Sequence, residues 1–142
     1  MSITDYGFIG FENAVDKFEK RFIKRIKEIV AETAEIIASQ MVALAPVAEI
    51  DGGNLKRSID VRYYNHGLTA IVTVGAEYAI YVEFGTGIYA EEGKGRKTPW
   101  VYFDTKLNRY IWTRGMSAQP FYRPSIEVGA QHFKSELNKL GA

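Results

Sequence analysis

The chain has 142 residues and no cysteine, with 46% apolar and 25% charged residues. Such a composition suits a folded domain able to bury a sizeable core, and it excludes disulfide scaffolds and thiolate metal sites. A formal net charge of +1 supplies no global drive toward nucleic acid, and no run approaches the ~20 apolar residues of a membrane-spanning helix.

In chain order, the opening residues Met1, Ser2, Ile3, Thr4 and Asp5 lack the basic and apolar regions of a secretory signal, so folding in a cytoplasm is expected. Residues 1–13 read as an N-terminal arm, with Gly7 and Gly10 among aromatics and no steady period. From Ala14 to Leu44 one long helix is expected. Val15, Phe18, Phe22, Ile26, Ile29, Thr33, Ile37, Met41 and Leu44 recur in steps of three and four and form one stripe, and Pro46 stops it. Such a helix is long for so small a domain, and one end is expected to overhang. The run Asp51, Gly52, Gly53, Asn54 is a turn signal, with Asn54 placed to cap a short helical turn through Arg57.

Ser58 to Tyr64 alternates, with Ile59, Val61 and Tyr63 on one face. Asn65, His66 and Gly67 turn the chain, and Leu68 to Val74 alternates again, which predicts an antiparallel hairpin. Tyr78 to Phe84 fits either a strand or two turns of helix. Gly85 to Pro99 reads as a mobile, glycine-bearing polar loop. Trp100 to Asp104 and Arg109 to Thr113 predict a second hairpin. A closing helix from Pro124 to Leu140 carries a stripe of Ile126, Ala130, Phe133, Leu137 and Leu140, with Pro124 at its first position and Gly141 at its end. The expected fold is a single α+β domain over residues 1–142, with a long N-terminal helix and a C-terminal helix packed on a mostly antiparallel sheet.

Gly85 to Ala90 satisfies G-x-G-x-x-A, a pattern found in dinucleotide-binding loops. That chemistry needs a helix directly after the glycines to face the pyrophosphate, and the following stretch holds Gly93, Gly95 and Pro99 instead. No cofactor is expected. His66 and His132 have no carboxylates at ligand spacing, so no metal or catalytic histidine site is expected.

Glu83 lies in an apolar, aromatic run. It is either an outward-facing residue or a partly buried charge in need of a partner, for which Arg114 and Arg123 are the candidates. A small enzyme built on this carboxylate is a remote reading with no convergent catalytic set to support it. Lys17, Lys20, Arg21, Lys24, Arg25 and Lys27 fall away from the apolar stripe. They form either a solvated face, balanced by Glu19 and Glu28, or a patch for DNA or an acidic partner.

Three blocks carry a resemblance when taken together. They are Ala45-Pro46-Val47 followed by Gly53 to Ile59, then Tyr78 to Gly87, then Arg114 to Phe121 with Pro124 and the closing helix. In order and spacing they resemble the neck and tail-completion proteins of long-tailed bacteriophages and prophages, also called minor tail components or head–tail joining proteins. The resemblance implies a non-enzymatic virion protein, assembled in the host cytoplasm. It would act as a ring-forming adaptor, sixfold like the tail, that joins the tail to the DNA-filled head. Its implied partners are copies of itself, the tail terminator or tail tube, head-closure or connector proteins, and DNA crossing the channel without sequence recognition. Glu83, Phe84, Gly85, Thr86, Gly87, Arg114, Gln119, Pro120 and Phe121 become candidates for a subunit or partner interface. Gly85 and Gly87 are expected to take φ > 0 where the aromatic element ends.

Overall fold

In a computed structural model the chain is described over residues 3–48 and 52–141, and side chains from residue 9 onward. Four helices and two hairpins follow one another: α1 (Ile3–Leu44), α2 (Asn54–Arg57), β1 (Ile59–Tyr64), β2 (Thr69–Val74), α3 (Ala79–Phe84), β3 (Trp100–Asp104), β4 (Arg109–Thr113) and α4 (Tyr122–Leu140). The fold class is α+β, and all strand pairing is antiparallel, in two separate two-stranded sheets.

α1 continues to Ile3 rather than starting at Ala14, so residues 3–13 of the expected arm are helical. Met1, Ser2 and Asp51 lie outside the described residues. A helix once nucleated adds one hydrogen bond per residue fixed, so two glycines do not stop it; Pro46, which cannot continue it, does. At 1.5 Å per residue α1 is about 60 Å long. Its second half packs on the body. Ile29, Ala34, Met41 and Ala45 are buried, whereas every residue from Ile9 to Lys24 is exposed.

β1 and β2 pair Ile59 with Val74, Val61 with Val72 and Tyr63 with Ala70. Period-two alternation turns these side chains to the α1 side, and Tyr63 donates its hydroxyl hydrogen to Glu35 at 2.9 Å. The core joins Met41, Ala45, Leu55, Val82 and Phe121, flanked by Ile37, Ile59, Val72 and Val74. The turn between these strands holds Asn65, His66 and Gly67 at positive φ. Asn54 is the first residue of α2 and not its cap; that position belongs to Gly53, at φ 89°.

α4 begins two residues before Pro124, which is therefore its third residue. Its inner face follows the expected stripe at the half-buried Phe133, Leu137 and Leu140 but departs from it in the first turns. Ser125 and Gly129 are buried while Ile126 and Ala130 are exposed. A side chain at Gly129 would place its Cβ 2.2 Å from Ile37 Cγ1, so small residues set how closely α4 approaches α1. Arg25 seals the far end of this contact, reaching Glu136 of α4 at 2.7 Å and Glu28 and Glu32 of α1 at 3.2 Å each. The β3–β4 hairpin makes no comparable packing with α1, α4 or the first hairpin.

Candidate functional site

Within Tyr78 to Phe84, residues 79–84 form the helix α3 with Tyr78 at its N-cap, and its tertiary role explains why. Helical geometry turns Val82 into the core and Glu83 toward the start of α4, and both are buried. The first N–H groups of a helix have no partner inside it. The residue at the N-cap of α4 is Phe121, whose side chain cannot accept a hydrogen bond. Glu83 takes over from a distance. Its Oε2 accepts the N–H groups of Phe121 and Tyr122 at 2.8 and 2.9 Å, and its Oε1 accepts the N–H of Arg123 at 3.1 Å. The next residue, Pro124, has no N–H to satisfy.

The same Oε1 accepts Nε–H of Arg123 at 2.7 Å. Arg123 also forms a two-pronged bond to Glu91, at 2.9 and 2.8 Å, and its guanidinium carbon sits 4.6 Å from the centre of the Phe84 ring. Burial pushes the Glu83 carboxyl up, but the Arg123 bond and three backbone donors outweigh it, leaving the group below the ordinary carboxylate range. Glu91 is lowered chiefly by Arg123, and Arg123 is raised by Glu91 and Glu83 in turn.

Backbone pairing fixes what surrounds this latch. Gln119 N–H caps the Val82 carbonyl at 2.8 Å. Thr86 N–H donates to Met116 O at 2.8 Å, and Ile88 N–H to Arg114 O at 3.1 Å. Segments 82–88 and 114–119 are thereby zipped together. Gly85 and Gly87 hold φ of 78° and 63° as expected. A Cβ on Gly87 would lie 1.8 Å from Arg114 O, so there is no room for a side chain in any conformation.

All nine residues proposed for an interface thus fall in one region, but they divide by exposure. Glu83, Gly85, Gly87 and Phe121 are buried and build the frame, Thr86 is half-buried, and Phe84, Arg114, Gln119 and Pro120 are exposed. Of the two candidate partners for Glu83, Arg123 is the one in contact, while Arg114 lies 5.4 Å from the ring centre of Trp112. Between α3 and the 85–99 segment lies a cleft of about 600 Å³ lined by Ile80, Tyr81, Phe84, Trp100 and Arg123. The role of Glu91 was not legible in the sequence, because a carboxylate in an irregular segment has no periodic context to place it.

The basic run is only partly free. Lys17, Arg21 and Lys24 are exposed on α1, Lys20 pairs with Asp16 at 3.0 Å, and Arg25 belongs to the α1–α4 contact. Among the described residues no three His, Asp or Glu side chains gather as a metal site, and no helix is long and apolar enough to cross a membrane.

A protein-family model described as "Bacteriophage HK97-gp10, putative tail-component" matches residues 10–85, just over half of the chain. The match takes in the free part of α1, the first hairpin and α3 through Glu83 and Gly85. No curated protein and no solved structure matches significantly.

Proposed function

Because the chain belongs to the HK97-gp10-like family of bacteriophage tail components, we propose that it is a non-enzymatic, ring-forming adaptor of the virion neck that completes the tail and joins it to the DNA-filled head. One observation carries this reading. Large apolar side chains stand open at well-separated places, among them Phe11, Phe18 and Phe22 on α1 and Val101, Phe103, Tyr110 and Trp112 on the second hairpin. Register places the last four on one face, with Val101 opposite Trp112 and Phe103 opposite Tyr110. Extended exposed apolar surface marks a site of association, and two unlike patches on one subunit are what a head-to-tail ring requires.

In this reading Phe84, Arg114, Gln119 and Pro120 add to the contact surface, and the 85–99 segment adjusts on docking. Sixfold copy number, matching a tail, and passage of DNA through the ring without sequence recognition belong to the same proposal. A separate role in binding nucleic acid is less well supported, since Lys20 and Arg25 already have acidic partners. Nor does Glu83 suit an enzyme: its oxygens are occupied by backbone donors and Arg123.

The test is to image the pure protein alone and with tail tubes, and to measure its mass in both. Rings that cap tube ends are expected. A strictly monomeric protein that never decorates a tail end or head vertex overturns the proposal.

A further inference from the structure

The part of α1 before about residue 25 projects from the body, and every residue from 9 to 24 is exposed. Phe11, Val15, Phe18 and Phe22 follow one another at steps of four, three and four. Their spacing, close to 3.6 residues per turn, sets them on one narrow face of the helix, which can serve as the seam between two packed helices. The seam is open to solvent, with Phe11 and Phe18 at 65% and 63% exposure, and the Phe18 and Phe22 rings stack along the helix at 6.0 Å. Glu12 and Glu19 flank it on one side, Ala14 and Arg21 on the other.

We infer that the occupant of this seam is the same segment of a neighbouring copy, packed alongside in parallel. The flanking charges select the direction. In a parallel pair one flank meets the opposite flank of the neighbour, which sets Ala14 beside Glu19 and Arg21 beside Ile26. In an antiparallel pair like flanks meet, and Glu12 faces Glu19. Like charges so placed destabilise. Parallel packing is also the direction that rotation about one ring axis imposes on equivalent helices. The inference thus rests on the reading of the chain as a self-assembling subunit and adds which segment it assembles through.

Area sets how far the seam acts alone. Given about 200 Å² for a large aromatic side chain, the exposed part of the seam offers roughly 400 Å². That is about half of the ~800 Å² per partner in a standard interface. The overhang therefore adds to contacts made elsewhere in the ring.

The chain has no cysteine, so placed thiols report cleanly. Full-length Ala14→Cys and Glu19→Cys proteins are mixed and treated with a short thiol-to-thiol cross-linker, as are Glu12→Cys and Glu19→Cys. The first mixture is expected to give a covalent mixed dimer and the second at least tenfold less. Adding Phe18→Glu to the first pair is expected to remove the product without moving the unfolding midpoint. A product from the second mixture alone overturns the parallel arrangement. No product from either, or one that survives Phe18→Glu, overturns the inference altogether. Tube ends still capped by a protein whose overhangs do not cross-link would sink this inference and leave the adaptor role standing.

Discussion

Glu83 is the residue on which the region between α3 and α4 depends. It replaces the missing cap of α4 and neutralises Arg123 with one buried carboxylate. Glu83→Gln keeps the shape but offers one acceptor oxygen and turns an amide toward N–H donors. A cost of about 2–3 kcal/mol is expected, read as a lower denaturation midpoint at unchanged slope. The pH dependence has a definite sign. The folded-state pKa lies below the unfolded value, near 4.3 for glutamate. Its stabilisation is therefore complete above that value and is lost as pH falls through the folded pKa. Glu91 and Glu136 are lowered too and act in the same window. The part due to Glu83 is the acid-side loss that wild type shows and Glu83→Gln does not.

Among the elements, two glycines with opposite expected signs test why each stands where it does. Gly87→Ala forces a Cβ onto Arg114 O at φ 63°, so loss of more than about 3 kcal/mol or failure to fold is expected. Gly10 sits in the exposed part of α1, and a Cβ there meets nothing within 4 Å. Gly10→Ala should stabilise the overhang by about 0.5–1 kcal/mol, visible as slower amide exchange at neighbouring residues.

The same positions show what sequence reading reaches. β3–β4 was legible residue for residue, because two aromatic-rich runs flanking a polar turn are a local signal. The end of α1 was legible for the same reason, in Pro46. Its beginning was not, because Gly7 and Gly10 interrupt the apolar period there while helix continuation costs little once α1 is nucleated. α3 stayed ambiguous because six residues rich in apolar side chains suit either geometry; the need to aim Glu83 at α4, a long-range fact, decides it. On α4 the expected stripe holds at Phe133, Leu137 and Leu140, whereas in the first turns the contact runs through Ser125 and Gly129, where small size is the feature. At the site, sequence proximity of Arg114 and Arg123 to the Gln119-Pro120-Phe121 block left two partners open, and only the start of α4 separates them.

For the whole molecule, the balance of charge predicts how association responds to salt. Net charge is +1, and strong cations are held internally: Arg25 by Glu28, Glu32 and Glu136, and Arg123 by Glu83 and Glu91. The α1 overhang exposes an aromatic stripe beside charged residues such as Lys17, Arg21 and Lys24, and the β3–β4 face exposes Val101, Phe103, Tyr110 and Trp112. Burial of apolar surface is not screened by ions, and excluded salts such as sulfate strengthen it. Contacts made to phosphates lose affinity steeply, by about three to five orders of magnitude between 50 and 200 mM salt for six to ten phosphate contacts. Self-association followed by mass photometry should therefore change little between about 0.1 and 0.5 M sodium chloride, although the screening length shrinks from about 10 Å at 0.1 M toward about 3 Å at 1 M. Sodium sulfate at equal ionic strength should increase it. A population of assemblies that collapses tenfold or more across the chloride series would mean that the exposed lysines of α1, and not the aromatic surfaces, hold the copies together.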